Sequence, residues 1–383
     1  MKIAQVAPLY ESVPPQAYGG TERVVSYLTE ALVDLGHDVT LYASADSVTS
    51  ADLVGVVEQG LRLDPRRPDP LVWHTLLLER VMQDAHEFDV IHFHTDVLQY
   101  PFAVRCPTPS LTTLHGRLDR PGLAELHERF RAHPLVAISE HQRGCMPGAP
   151  WIATVPHGIP QGLYDFHPEP GDYFAFLGRL SPEKRPDRAI EIARACGVPL
   201  KIAAKVDDAD RAYVTHHLRP HLEDPVVEFV GEIGEDRKSD FLGRARALLF
   251  PIDWPEPFGL VMIESLACGT PVVAYRCGSV PEVIEEGVTG YVVENQAAAI
   301  EAAARVHRLD RGACREAFER RFGADRMAMD YVRIYEALQA ERSGARGSSA
   351  QELADRTAVA GEVGEDPGSA PAGALPADAG PMT

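Results

Sequence analysis

Between Val155 and Tyr173 the chain reads VPHGIPQGLYDFHPEPGDY, and on either side of this stretch strand-like and helix-like segments alternate. Proline and glycine accumulate there and hydrophobic periodicity stops, so the chain divides at this point. Before it come the strand-like KIAQVAPL, a helix over TERVVSYLTEALVDLG with Val24, Val25, Leu28, Leu32 and Leu35 at helical spacing, and the strand-like HDVTLYA. A helix over 71–87 follows, then the strand-like DVIHFH, PSLTTLHG and PLVAIS. Residues 48–70, containing DPRRPDP, read as a loop with local structure. After the break YFAFLG, PLKIAAK, VVEFVG, ALLFP, PVVAY and GYVV alternate with helical segments, and helices around 297–308 and 325–339 close the series. Alternation of this kind makes parallel sheets covered on both faces. The expected fold class is therefore α/β, with two doubly wound domains, 1–160 and 161–324, facing a central cleft. A final helix over about 325–340 is placed to pack back on the first domain. Ligands in such sheets bind beyond the carboxyl ends of the strands.

With 383 residues the chain is too long for one ordinary core, which agrees with two domains. Formal net charge is −19; residues 341–383 hold seven acids and three bases, leaving −15 on the rest. That balance excludes a general nucleic-acid binder, which needs a basic face. The stretch 341–383 has no aromatic residue and no isoleucine, too little apolar area to order itself, and is expected to be a disordered tail. No apolar run is long enough to span a membrane. The six cysteines form no CxxC pair and read as thiols of a reducing, cytoplasmic environment.

No GxGxxG follows the first strand and no GxxxxGK[ST] occurs, which removes the common dinucleotide and P-loop readings. YGGTE in the first loop puts Gly19 and Gly20 where backbone could approach a ligand closely, at a helix start with free N–H groups. As a lone feature it reads more readily as a plain entry turn. FLGRLSPEKRPD in the second domain clusters Arg179, Lys184 and Arg185 before a helix, a combination that suits a diphosphate; a solvated loop paired to Glu183 or Asp187 is the alternative. In DWPEPFGLVMIESLACGTPVV, Pro255 and Pro257 force an extended approach, Phe258 and Gly259 turn the chain, and a helix begins. Glu256 is expected at a strand end, and Glu264 about two turns down the helix beside a buried face. A half-buried carboxylate needs donors, which sugar hydroxyls or a neighbouring cation would supply. Asp208 and Asp210 in KVDDADR have a metal-like D-x-D pattern but sit at a helix start and read as caps.

The spacing E-P-F-G-x4-E resembles the E-x7-E signature of retaining glycosyltransferases of the GT-B architecture, specifically glycosyltransferase family 4. GGTERVVSYLTEALVDLGHDV, FDVIHFH, LHG, VAISEHQR, FLGRLSPEK and GTPVVAYRCGSVPEVIEEGVTGYVV fall in the family's order, and the resemblance covers nearly all of 1–340. It implies a nucleotide-sugar donor, an unidentified acceptor and no metal or other cofactor. Arg179 and Lys184 match the pair that holds the donor diphosphate, and Glu264 the acid on the ribose hydroxyls. Glu256 and the amides of Phe258, Gly259 and Leu260 match the group around the donor sugar, and Gly20 with Gly19 the loop that meets the diphosphate. His115 matches a histidine near the reacting sugar, and Ser139 a family-typical position. Catalytic roles accordingly fall to His115, Arg179, Lys184 and Glu256.

The chain departs from the family at His157–Gly158–Ile159–Pro160, where asparagine–glycine–hydrophobic–aspartate is usual, and at Ser279, where a second glycine is usual. The first bears on the hinge or acceptor side, the second on the sugar pocket. The rival readings are a GT-B sugar epimerase or phosphorolytic enzyme, and a catalytically silent nucleotide-sugar-binding protein. Arg117, Arg120 and HERFRAH lend the first domain some basic character, which fits peripheral membrane contact or, equally, a solvated helix face.

Overall fold

The computed structural model describes residues 1–16 and 19–360, with the backbone alone for 343–360. Met1–Gln339 forms one compact unit, and a second begins at Ala340. The first domain is built on a seven-stranded sheet. Its strands are β1 (Lys2–Val6), β2 (Asp38–Ser44), β3 (Asp52–Val57), β4 (Val90–Phe93), β5 (Ser110–Thr113), β6 (Leu135–Ala137) and β7 (Trp151–Thr154). They lie in the order β3-β2-β1-β4-β5-β6-β7. The second domain has six: β8 (Tyr173–Arg179), β9 (Leu200–Lys205), β10 (Val227–Gly231), β11 (Ala245–Phe250), β12 (Val272–Tyr275) and β13 (Gly290–Val293). Their order is β10-β9-β8-β11-β12-β13. Every pairing is parallel. Central strands such as β4 and β12 are buried at every position, which is why VIHF and VVAY read as continuous apolar runs rather than alternating ones. Strand order reverses between β1 and β4 and between β8 and β11, and the crevice opens at those two points.

The helix Gly20–Asp34 buries Val24, Val25, Leu28 and Leu32 against the first sheet. It ends at Gly36, whose φ of 83° supplies the left-handed turn and whose N–H closes on Val33 O at 2.8 Å. The chain crosses into the second domain at 155–160 and returns at 322–324. The two crossings lie side by side: Ile159 N–H donates to Phe322 O and Ala324 N–H to Ile159 O, both at 2.9 Å. A Cβ on Gly158 would stand 2.3 Å from Gly323 O, so the close approach requires glycine there. One apolar cluster runs through this junction, from Ile3, Val90 and Ile138 by way of Ile159 and Phe258 to Phe322 and Met327.

The last helix, Ala324–Ala360, lays Tyr331 and Tyr335 against β1, β4 and β5. It also carries the backbone past 341, into the stretch read from composition as a tail. Residues 361–383 of that stretch lie outside the described residues.

Three elements differ from the sequence-based reading. Asp52–Val57 is a strand and not a loop; it sits at the sheet edge, half exposed, and Gly55 breaks its pattern where it crosses over Ala45. Trp151–Thr154 adds the opposite edge strand. A helix over Arg311–Arg321 precedes the last one, its buried face made mainly of Cys314, Ala317 and Phe318.

Candidate active site

A cavity of about 730 Å³ opens where the carboxyl ends of both sheets face each other, within the size range of ligand pockets. Loops after β1, β4 and β5 supply Tyr10, Gly20, Asp96 and His115, and loops after β8, β9 and β11 supply Arg179, Lys184, Lys205 and Glu256. Gly19, Phe258, Gly259, Leu260 and Glu264 also line it. Two helix N-termini meet across it: a Cβ on Gly20, which starts one helix, would lie 3.9 Å from Leu260 Cδ1, which starts the other. Each carries unpaired N–H groups and a partial positive charge, so the space between them favours an anion.

Arg179 and Lys184 both reach this space, and each is held by acids. Arg179 pairs with Asp210 at 3.2 Å, Glu183 at 3.5 Å and Asp207 at 3.6 Å. Asp208 pairs instead with Arg211, and neither carboxylate caps a helix. The D-x-D is thus a set of partners for cations rather than the capping pair its position suggested. Lys184 is ion-paired with Glu256, and its Nζ lies 5.4 Å from the ring centres of Phe250 and Trp254. Trp254 Nε1–H donates to Glu256 Oε2 at 3.0 Å. Arg185 turns away to Asp187 and Asp253 and is not among the cavity-lining residues.

The helix carrying Glu264 begins at Leu260, so this acid stands about one turn in rather than two. It is 4% exposed, and Lys238 Nζ binds its Oε1 at 2.8 Å. Lys238 also reaches Glu235 at 3.2 Å, and Glu235 is ion-paired with Arg23 of the first domain. This alternation of charges keeps a buried carboxylate matched. Replacing Glu264 by Gln removes its charge but keeps its shape, and should cost about 1.5–3 kcal/mol in denaturant unfolding. Unchanged stability would show that Lys238 does not depend on it.

Gly259 has φ 81°, the left-handed turn that lets the chain leave Pro257–Phe258 and enter the helix. Behind it, Ser279 Oγ–H donates to Phe258 O at 2.7 Å and Ser279 N–H to Glu256 O at 3.0 Å. The serine at this unusual position thus holds the acid-bearing loop in place. Ser139 caps the short helix Glu140–Gly144, its Oγ accepting from Gln142 N–H at 3.0 Å. The amides of Glu140 and His141 bind the Glu282 carboxylate of the second domain, both at 2.7 Å.

His115 packs between two further histidines. His157 stacks on it with ring centres 5.2 Å apart, and His94 Nδ1 lies 2.9 Å from its Nε2. Burial pushes the His115 imidazole down to about 3, so it is neutral near pH 7 and offers one donor and one acceptor nitrogen rather than a cation. His157, the departure in the linker, also meets Phe258 edge-on at 4.9 Å and so couples the linker to the loop that carries Glu256. Sequence reasoning missed Lys238, His94 and Glu22, and gave His157 only as a departure bearing on the hinge or acceptor side. Glu22 lines the cavity from the first turn of its helix, and burial raises its carboxyl to about 7. Three of the first-domain cations that hinted at a membrane are matched by acids: Arg117 by Asp119 and Glu183, Arg120 by Asp96, Arg131 by Glu128. Among the described residues no helix is long and apolar enough to cross a membrane.

Two doubly wound domains with a basic cavity at both sets of strand ends define the GT-B class of glycosyltransferases. Comparison with known proteins agrees. A model described as Glycosyltransferase Family 4 matches residues 18–162, and one described as Glycosyl transferases group 1 matches 165–316. The chain belongs to glycosyltransferase family 4 and is a glycosyltransferase. It is 27% identical to the glycogen synthase of Mycobacterium tuberculosis over 76% of this chain and 81% of that protein. It is 25% identical to the phosphatidyl-myo-inositol mannosyltransferase of Mycolicibacterium smegmatis over 94% of this chain and all of that one. The crystal structure of AviGT4, a glycosyltransferase involved in avilamycin A biosynthesis, superposes with a TM-score of 0.69 at 28% identity, covering 89% of this chain and 98% of that one.

Proposed function

We propose that the chain moves a hexose from a nucleoside-diphosphate sugar to an acceptor hydroxyl, with retention of configuration and without a metal ion. The observation that carries this reading is the convergence of Arg179, Lys184 and two helix N-termini on one cavity. Glycosyl transfer breaks the bond between the anomeric carbon and a phosphate oxygen, leaving a diphosphate behind an oxocarbenium-like centre. Donors aimed at that developing charge lower the barrier. A guanidinium fork, an ammonium and helix N–H groups are such donors. The bound diphosphate displaces the carboxylates that now occupy the cations, Asp210 on Arg179 and Glu256 on Lys184. Glu256 then faces the sugar hydroxyls, with the amides of Phe258, Gly259 and Leu260 beside it, and Glu264 faces the ribose. The acceptor oxygen attacks the anomeric carbon from the face the phosphate leaves, and its proton passes to the departing phosphate oxygen. Relatives named for glycogen synthesis and mannosyl transfer support a hexose.

Thermal unfolding with UDP, GDP, ADP and their sugars tests the donor. One nucleotide series should raise the midpoint, by the equivalent of about 2.7 kcal/mol at a hundredfold excess over Kd. Product formed in the presence of a chelator should keep the donor's anomeric configuration. An inverted product would overturn retention, loss of activity in chelator would overturn metal independence, and an epimer formed from sugar nucleotide alone would identify an epimerase.

A further inference from the structure

Behind the cavity wall five buried side chains form one hydrogen-bonded chain that ends on the half-buried His115. His115 Nε2 meets His94 Nδ1 at 2.9 Å, and His94 Nε2 meets Gln5 Oε1 at 2.8 Å. Gln5 Nε2 then reaches Tyr335 Oη at 3.1 Å, Tyr335 Oη reaches His92 Nδ1 at 2.8 Å, and His92 Nε2 reaches Thr113 Oγ1 at 2.8 Å. Gln5, His92, Thr113 and Tyr335 are fully buried, and His94 is nearly so. Three of these residues lie on the first sheet, Gln5 on β1, His92 on β4 and Thr113 on β5, with His94 and His115 just past the ends of β4 and β5; Tyr335 comes from the last helix, 330 positions from Gln5.

Only two proton arrangements satisfy every contact and also leave no hydroxyl proton of the chain without an acceptor. With the Gln5 amide oriented as found, its oxygen accepts from His94 Nε2–H, so His94 Nδ1 is a lone pair and accepts from His115 Nε2–H. In the other direction the Gln5 NH2 donates to Tyr335, whose hydroxyl donates to His92 Nδ1, and His92 Nε2–H donates to Thr113. Each neutral imidazole has one donor and one acceptor nitrogen, so a single choice at Gln5 sets all three rings. Flipping the Gln5 amide reverses every bond and puts the His115 proton on Nδ1. That atom is buried with no hydrogen-bond partner. An orphaned buried N–H is a rarer and costlier defect than an unused acceptor, so the first arrangement prevails.

We propose that Tyr335 is a positioning residue which, through Gln5 and His94, holds His115 as its Nε2–H tautomer, with Nδ1 left as the unprotonated, unpartnered nitrogen. The part of this inference that concerns turnover rests on His115 facing the transferred sugar; the tautomer itself does not. The chain also explains why a C-terminal helix carries tyrosines into the first sheet: Tyr335 demands a donor on one side and offers one on the other, which no apolar residue does.

Nitrogen-15 NMR of the imidazoles in the full chain reads the tautomers directly. The wild type should show His92, His94 and His115 each protonated at Nε2 alone. Tyr335→Phe keeps the ring and removes the hydroxyl, releasing the Gln5 amide and His92; His115 should become a mixture of tautomers. Gln5→Met cuts the same chain on the other side and should do likewise, while Tyr331→Phe, beyond Thr113, should leave His115 unchanged. With a sugar nucleotide bound, kcat of Tyr335→Phe should fall by about 10- to 100-fold at unaltered donor KM, the scale on which small misplacements of a reacting group are felt. A shift in tautomer with unaltered turnover would uphold the chain and remove His115 from the reaction. The proposal fails if wild-type His115 carries its proton on Nδ1, or if His115 keeps one tautomer in both Tyr335→Phe and Gln5→Met. The wild-type spectrum decides even if neither variant folds.

Discussion

Replacing Arg179 or Lys184 by alanine should lower turnover by about 100- to 1000-fold, or about 2.7–4 kcal/mol of transition-state stabilisation, the range for losing one preorganised donor to a developing anion. The two losses should differ in kind. Arg179 is surrounded by Asp210, Glu183 and Asp207; Glu183 also meets Arg117 and Asp207 also meets Lys205, so removing Arg179 chiefly exposes a diphosphate to the Asp210 carboxylate as well as deleting its partner. Arg179→Ala should therefore also raise the donor KM. Among the described residues Lys184 is ion-paired with Glu256, and Lys184→Ala leaves that acid at the cavity wall with Trp254 Nε1–H but no cation. Asp210→Asn is the control: it releases Arg179 from a competitor and should preserve turnover. Near-wild-type rates in both alanine variants would sink the diphosphate assignment, whatever the sugar.

The second large effect is expected at a residue that does not line the cavity but packs behind a loop that does. Gly278 has φ 60°, and a Cβ there would lie 2.3 Å from both Glu256 N and Glu256 O. Gly278→Ala therefore meets two costs, about 1–2 kcal/mol for the left-handed backbone and about 1–3 kcal/mol for overpacking against a backbone held on both sides. Relief can come only by pushing the 255–258 loop outward, which separates Glu256 from Lys184. Stability and turnover should fall together. Gly287→Ala isolates the first cost, since Gly287 has φ 73° and no atom within 4 Å of the added carbon. Equal stability losses in the two variants would show that the loop is not propped by Gly278.

Much of the architecture was legible because it is local. Helical spacing at Val24, Leu28 and Leu32 and the continuous apolar runs of the central strands follow from neighbours in sequence. Edge strands lack that signature: β3 is half exposed and interrupted by Gly55, and β7 is four residues long between prolines. The helix Arg311–Arg321 hid for another reason. Its buried Arg311 donates to the carbonyls of His167, Ala245 and Gly243 and to Thr270 Oγ1, a role no periodicity announces. At the site, Arg179, Lys184, Glu256 and Glu264 lie in two short motifs. Lys238 lies 26 residues before Glu264, and His94 reaches His115 only because β4 and β5 are neighbours in the sheet. Such partners belong to topology, and spacing along the chain does not encode them. The sequence did place an acid beside a buried face at 264; the cation that keeps it charged there is a tertiary fact.

The paired crossings at Ile159 and Gly323 make the second domain, topologically, an insertion. The chain leaves the first domain and re-enters it at the same spot, and only then delivers Tyr331 and Tyr335 to the first sheet. During synthesis the strands β8 to β13 are all available before the residue that completes the hydrogen bonding of Gln5 and His92 has been made. The second domain can thus assemble from contacts within itself, while the first, although its strands emerge earlier, has to wait for the far end of the chain. The domain that leaves the ribosome first is the one finished last, and an interrupted chain ending before Tyr335 would carry an intact second domain beside an incomplete first one.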